Sequence, residues 1–248
     1  MIAQGGLQGV DAIYSIHCDP TLDVGLVGLR DGPITSATDS VTITLHGRGG
    51  HTSRPHLTQD LVYALGKVVT DVPAALSRRV DPRAGVALVW GTIKSGRAEN
   101  VIPATGAVSG TLRMLDAQLW QEIGPLLDEV VHAVVSPYGV SAVVEHVRGA
   151  PPVVNDPALV ARLRSAAVQM LGQEAPTPTS QSLGGEDFAW YLQTVPGAMA
   201  RLGTRTPGGA THDLHRGDLV VDERAVTSGA GLLAGAALAR LPDCGNSA

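Results

Sequence analysis

Ser40-Val41-Thr42-Ile43-Thr44-Leu45-His46, running directly into Gly47-Arg48-Gly49-Gly50-His51-Thr52-Ser53-Arg54-Pro55-His56, is the stretch on which the fold turns. Its first part alternates apolar and polar residues, the period of a half-buried strand. Thr58–Leu76 then sets Leu61, Ala64, Leu65, Val68 and Val69 at helical spacing. The connection between them holds three glycines, two histidines and two arginines. Glycine lets backbone approach a ligand closely, and imidazole and guanidinium groups offer hydrogen-bond donors to an anion. Such a connection reads as a place for binding or chemistry, with a solvated strand-to-helix turn as the alternative.

Outward from this stretch the pattern repeats. Val86–Ile93 and Ala107–Met114 read as strands, Ala117–Val135 as a helix through Leu119, Ile123, Leu126, Leu127, Val130, Val131 and Val134, and Val140–His146 as a last strand. The order is βαββαβ, a ferredoxin-like split unit. Its sheet buries one face under two helices and leaves the other face and an edge to be covered, most simply by a dimer partner.

The flanks have a different texture. Val10–His17 reads as a buried strand with His17 at its C-terminal tip, the end of the strand where ligand sites gather in open α/β sheets. A turn-rich strand pair follows through Val24–Leu29 and Asp31-Gly32-Pro33. After Pro151-Pro152, Asp156 caps a helix from Pro157 that stops at Gly172. A short helix at Ala189–Gln193, a strand at Ala198–Leu202, a loop holding His212-Asp213-Leu214-His215 and an apolar helix over Glu223–Leu241, read as buried, complete the chain. The expectation is an α/β protein in which 1–39 and 153–248 pack together and 40–152 is an insert.

Bulk properties narrow the function. With 248 residues, 44% hydrophobic and 3% aromatic, the core is built from Val, Leu, Ile and Ala. A net charge of −5 without a basic run gives no footprint for nucleic acid. Met1–Leu7 lacks the pattern of a signal peptide, and the apolar segment Ala225–Ala239 falls short of the roughly 20 residues that cross a bilayer, so no membrane partner is expected. Cys18 and Cys244 lie far apart in no Cys-x-x-Cys pair, which suits a reducing, cytoplasmic location.

Several residues could do chemistry. His17 and His215, distant in sequence but in the same expected domain, could bind a divalent metal through ring nitrogens; either could equally be a hydrogen-bonded core histidine. Asn100 lies in a link between strands and alone reads as a turn residue. Arg113, inside an alternating strand, faces solvent or awaits a carboxylate. Glu186-Asp187 reads as a helix cap. No Gly-x-Ser-x-Gly elbow and no phosphate-cradling glycine loop is present.

Taken in order, Gly9-Val-Asp-Ala-Ile-x-x-x-His17 with Pro20, Gly47-x-Gly-Gly-His51 with Pro55-His56, Asn100-Val-Ile-Pro103, Gly110-Thr-x-Arg113, Pro152-x-Val-Asn-Asp156, Gly185-Glu-Asp-Phe188, and Leu214-His215 with Asp222-Glu223 form a recognisable set. The set resembles the M20 metallopeptidase family, closest to its amidohydrolase branch of hippurate hydrolases and N-acyl-amino-acid deacylases, over almost the whole chain. The resemblance implies an α/β catalytic domain interrupted by a ferredoxin-like lid through which the protein forms a homodimer. It implies metal-dependent hydrolysis of the amide of N-acyl amino acids or small peptide-like substrates, with two divalent ions (Zn, Mn, Co or Ni) and metal-activated water. His17 and His215 match metal ligands, one for each ion. His51 matches the histidine that stabilises the oxyanion, commonly across the dimer, and Asn100 and Arg113 match substrate-binding positions. A further ligand motif of His/Cys-Gly-His-Asp type and a Glu-Glu pair with the general base should precede His17, and no such residues stand there. The expectation is therefore an incomplete catalytic domain, with a non-catalytic dimerisation and binding module of the same family as the rival.

Overall fold

The computed structural model describes residues 1–239; Cys244 and the final residues of the expected last helix lie outside them. In chain order the elements are β1 (Ile13–Asp23), β2 (Val27–Leu29), β3 (Gly32–Pro33), β4 (Ala37–His46), β5 (Gly50–His51), α1 (Leu61–Arg79), β6 (Ala87–Ser95), β7 (Val101–Ile102), β8 (Thr105–Met114), α2 (Ala117–Val135), β9 (Ser141–Val147), β10 (Val154–Asn155), α3 (Pro157–Leu171), β11 (Pro176–Pro178), α4 (Ala189–Leu192), β12 (Gly197–Arg205) and α5 (Arg224–Leu238). This is a mixed α/β fold in two compact units. The first gathers Met1–Ile34, Val153–Ser182 and the described chain from Asp187 to residue 239; the second is Thr35–Pro152 together with Leu183–Glu186. Those four residues, grouped with the 153–248 segment in the sequence reading, pack on the second unit because the Leu183 carbonyl accepts hydrogen bonds from Ser36 Oγ at 2.8 Å and from the Arg113 guanidinium.

In the second unit the sheet order is β6-β8-β4-β9, every neighbour antiparallel, in the chain order βαββαβ. The alternation of β4 puts Ala37, Asp39, Val41, Ile43 and Leu45 on the covered face, all 0% exposed. Leu61, Leu65, Val68 and Val72 of α1 and Ile123, Leu127 and Val131 of α2 close over them. Asp60 and Asp116 cap the two helices through Tyr63 N–H at 3.1 Å and Leu119 N–H at 2.8 Å. The opposite face is a field of hydroxyls, Ser40, Thr42, Thr44, Ser109 and Thr111, with Thr42 Oγ1 donating to Ser109 Oγ at 3.0 Å.

Each helix contains an internal proline, and each time a side chain from a sheet edge repairs the damage. Pro73 has no N–H to give the Val69 carbonyl one turn back, and Trp90 Nε1–H from β6 donates to that oxygen at 3.2 Å. Pro125 likewise frees the Gln121 carbonyl, which accepts from the Arg148 guanidinium just beyond β9. Arg148 also lies over the Trp120 ring, 5.3 Å from its centroid. The two helices are thereby tied to opposite edges of the sheet.

Asp39 is the one carboxylate on the covered face of β4. Trp120 Nε1–H donates to it at 2.9 Å, Gly149 N–H at 3.0 Å, and His146 Nε2 lies 2.7 Å from its other oxygen. Burial by itself pushes this carboxyl up, but the hydrogen bonds from His146, Trp120 and Gly149 outweigh it and hold Asp39 below the ordinary carboxylate range.

The first unit has the sheet order β1-β12-β2-β11, with β1 parallel to β12, β12 antiparallel to β2 and β2 parallel to β11. Leu159, Leu163 and Ala166 of α3 and Leu232 and Ala236 of α5 pack with Ala198, Ala200 and Leu202 of β12. Gly229 permits the approach of α5, since a Cβ there would lie 2.7 Å from Ile16 Cδ1 and 2.9 Å from Leu202 Cδ2. A separate cluster joins Ile34, Val153, Phe188, Ala189 and Met199. Between these clusters the Asn155 amide, 1% exposed, donates to the Arg30 and Met199 carbonyls at 2.9 Å and accepts from Met199 N–H at 2.8 Å.

Three local expectations change. β1 does not stop at His17 but continues in register with β12 through Asp19↔Gly203, so His17 lies within the strand. α5 buries only one stripe, leaving Val226 73% and Leu238 66% exposed, because α3 covers it from one side. Helix α4 has Phe188 at its N-cap with no side-chain cap, so Asp187 contributes its backbone carbonyl, to Trp190 N–H at 3.0 Å, and not its carboxylate. Among the described residues no helix is long and apolar enough to cross a membrane.

Two measurements check this account of the second unit. Trp90→Phe, which orphans the Val69 carbonyl, should cost about 1–3 kcal/mol in denaturant unfolding, and less in a Pro73→Ala background where a backbone N–H returns; equal losses in both backgrounds would show that the carbonyl is not what Trp90 serves. Because Asp39 has a lowered folded pKa, its stabilisation is present above its unfolded value of about 3.9 and is lost as pH falls through the lower folded value. Asp39→Asn should therefore reduce stability at pH 6 and flatten the fall in unfolding free energy below pH 4.

Candidate functional site

In the second unit, the chain leaving β4 forms a ribbon with the chain entering β8. Gly47 N–H donates to the Ala104 carbonyl at 3.0 Å, Gly50 pairs with Ile102 and His51 with Val101, and Thr52 N–H reaches the Asn100 carbonyl at 3.1 Å. His51 and Asn100, 49 positions apart in the chain, thus become neighbours across the ribbon. Gly49 is required by this approach, because a Cβ there would lie 2.5 Å from the Ile102 carbonyl oxygen.

The His51 ring is exposed, and its tautomer is fixed by its own loop. Ser53 N–H donates to Nδ1 at 3.1 Å, and Ser53 Oγ lies 2.8 Å from the same nitrogen. An atom that accepts a backbone N–H carries no proton of its own, so the neutral ring holds its proton on Nε2. His51 is therefore a donor at Nε2, the form that can bind a carbonyl oxygen or an oxyanion. Beside the ribbon, Thr52, Asp60, Arg97 and Glu99 line a cavity of about 500 Å³.

Arg113 is placed elsewhere. It pairs with Thr38 and Ala87 across the sheet, and Nη1 donates to Thr38 Oγ1 at 3.1 Å and to the Leu183 carbonyl. Its Nε and Nη2 have no partner among the described residues, which leaves one edge of the fork for a carboxylate. Thr38 and His46 lie eight residues apart along β4, a span of about 26 Å. Since the ribbon continues outward past His46, one copy of the chain does not bring His51 and Arg113 to the same small molecule.

In the first unit, His17 stands opposite Arg201 in the β1–β12 pair and is half-buried. Its Nδ1 is 2.7 Å from the Cys18 carbonyl. A carbonyl only accepts, so Nδ1 carries the proton and Nε2 presents a bare lone pair, the arrangement of a metal-ligating imidazole. His215 is exposed in the loop before α5 and is the one non-glycine residue with positive φ, +65°, among the described residues. A cavity of about 770 Å³ lies here, lined among others by Cys18, Asp19, Arg201, His212, Asp213 and Arg216. It takes in neighbours of both expected ligands without including either ring. Among the described residues no group of three or more His, Cys, Asp or Glu side chains could hold a metal ion. The donor chemistry of His17 thus fits a metal ligand, while two histidines fall short of the three protein ligands that a catalytic zinc takes.

Sequence reasoning overlooked Arg201, Asp39 and Ser53. The first two left a signal, since Arg201 interrupts the apolar run Ala198-Met199-Ala200 before Leu202, and Asp39 shares parity with Val41, Ile43 and Leu45. Ser53 left none, because its role depends on how the loop turns.

The sequence model of peptidase family M20/M25/M40 matches residues 1–239. A Rhodococcus jostii (strain RHA1) protein provisionally named glutamate--cysteine ligase 2-3 is 45% identical over 242 residues, which are 98% of this chain and 30% of that protein. The N-acetyl-L-cysteine deacetylase of Bacillus subtilis (strain 168) is 33% identical over 227 residues, 91% of this chain and 53% of the deacetylase. Among solved structures, the Bacillus subtilis YXEP protein, described as a dinuclear metal-binding peptidase from the M20 family, superposes with a TM-score of 0.79 at 26% identity, covering 96% of this chain and 59% of its own. The chain thus spans 30–59% of the length of these three matched proteins.

Long-range ¹H–¹⁵N spectra at pH 8 should show neutral His51 as the Nε2–H tautomer. An Nδ1–H pattern would remove Nε2 as a donor and with it the geometric basis for carbonyl contact.

Proposed function

Because the chain belongs to peptidase family M20/M25/M40, we propose that it forms part of a metal-dependent amidohydrolase that cleaves the amide of N-acyl amino acids or small peptide-like substrates. The observation that supports the reading best is the ribbon that pairs His51 with Val101 and so sets Asn100 one residue along the facing strand, with His51 held as an Nε2–H donor. A donor positioned in this way stabilises the charge that develops on a carbonyl oxygen as a nucleophile adds to it. Asn100 on the facing strand offers a second amide donor.

Arg113 would bind the substrate carboxylate through its unengaged edge, its Nη1 being anchored on Thr38 and Leu183. His17 and His215 would each supply one ligand, one to each divalent ion, Zn, Mn, Co or Ni, of a two-metal site. When bound, such an ion supplies a water acidified to a pKa of about 7. His17 enters that role with Nε2 already bare.

The separation of His51 from Arg113 along β4 favours a homodimer in which Arg113 of one copy and His51 of the partner subunit meet on one substrate. The second unit has edges suited to such pairing, with Val89 of β6 62% exposed and Val143 and Val147 of β9 49% and 64% exposed. A cytoplasmic setting without nucleic-acid or membrane partners suits this small-molecule chemistry.

Amine release from N-acetyl amino acids by the metal-loaded protein tests the reading. His51→Ala should lower kcat by about 10²–10³-fold with metal content unchanged. His51→Ala and Arg113→Ala should each be strongly impaired alone, but coexpressed copies should recover up to about a quarter of wild-type activity, since half of a random dimer population is mixed and each mixed dimer has one intact site of two. Absence of recovery would place both residues in a single-copy site. Absence of turnover by the metal-loaded wild type would favour the binding-module reading.

A further inference from the structure

We propose that the first unit contains a carboxylate-binding subsite centred on Arg201. Arg201 lies within β12, between His17 of β1 and Gly28 of β2, and only 7% of it is exposed. Among the described residues its side chain has neither a hydrogen-bond partner nor a carboxylate within ion-pair distance. Its guanidinium is thus held by a largely buried stem at the cavity wall with its fork open to an anion.

The groups around Arg201 narrow what that anion is. Arg201 lines the 770 Å³ cavity, so the occupant can come from solution. The cavity's other arginine, Arg216, is already satisfied by Asp218 at 2.8 and 2.9 Å. Of the cavity's carboxylates, Asp19 accepts from Thr21 N–H at 2.9 Å and from Thr21 Oγ1 at 2.6 Å, and Asp213 makes no ion pair with Arg201. Thr179 and Ser180 add hydroxyls to the lining. Room for the arginine is built in by Gly28, where a Cβ would lie 3.1 Å from Arg201 Cβ and 2.9 Å from Thr179 Cβ. A planar fork with flanking hydroxyls suits a compact carboxylate, bound bidentately.

The subsite selects small molecules that carry an acidic group, such as an acidic side chain or a dicarboxylic acyl group. It rests on the amide-hydrolase reading only in supposing that such a molecule is a substrate; the binding itself is a property of the first unit. The same carboxylate chemistry could be supplied by an acidic side chain of another protein segment, and the experiment separates the two sources.

Succinate is titrated calorimetrically into the purified chain in EDTA, so that neither turnover nor a metal-bound carboxylate contributes, with neutral succinamide and with sulfate as controls. Saturable succinate binding is expected, with succinamide silent and sulfate at least about tenfold weaker. Arg201→Met should weaken succinate at least about tenfold and Arg201→Lys less, since lysine keeps the charge but not the fork. Should the variants not fold, phenylglyoxal modification of wild-type Arg201, mapped by peptide mass, should be slowed by succinate and not by succinamide. No saturable binding to the wild type, equal binding of succinamide or sulfate, unchanged binding in a folded Arg201→Met variant, or no protection of Arg201 would each overturn the subsite. Absence of binding would assign the counter-ion to a protein carboxylate.

Discussion

The second unit depends on the register of β4 between β8 and β9. From Ala37↔Met114 to His46↔Thr105 the pairing with β8 runs without a slip, and β9 holds the other edge from Ser40 to His46. A one-residue shift would move Val41, Ile43 and Leu45 out from under the helices and expose them, so the apolar parity of β4 locks the register. That register then decides where the candidate residues lie. It carries the ribbon of His51 and Asn100 beyond one end of the sheet and fixes Arg113 near the other. The spacing between the His51 donor and the Arg113 guanidinium is thus a by-product of core packing.

Polar groups inside this unit are satisfied by neighbours remote in sequence. The Val69 and Gln121 carbonyls, freed by Pro73 and Pro125, take donors from Trp90 and Arg148, so two breaks in helical bonding become two ties between helix and sheet edge. Asp39 performs a similar service for Trp120, His146 and Gly149 around a single carboxylate. Each case follows the same rule: a buried donor or acceptor left alone costs more than the hydrogen bond it could make is worth, so the fold supplies a partner.

The first unit shows that rule obeyed at Asn155, whose amide is fully used, and unmet at the Tyr14 hydroxyl, Arg162 Nη1 and Thr204 Oγ1. His17, between these in character, has one nitrogen committed to the Cys18 carbonyl and the other bare. Membership of the M20/M25/M40 family gives that bare nitrogen a context, while the described residues present no complete ligand group. The unit therefore offers prepared pieces, an imidazole with the required tautomer and an arginine awaiting an anion, whose use depends on what they meet.

Periodicity alone determined most of the secondary structure: α2 runs over the Ala117–Val135 span that its apolar spacing marks, α3 begins at Pro157 behind its Asp156 cap, and β4 follows its alternation. Those signals are local, set by side-chain parity and helical pitch, and the ordered motifs from His17 to Glu223 were likewise local enough to point to the family. The ends of β1 and the one-sided burial of α5 were not legible, because β12 decides how long β1 continues and α3 decides which face of α5 is covered. The ribbon that brings Asn100 near His51, their separation from Arg113, the His51 and His17 tautomers and the burial of Arg201 all belong to tertiary structure. Each depends on what a distant strand or a turning loop places within 3 Å, and residue spacing along one chain contains no record of that distance.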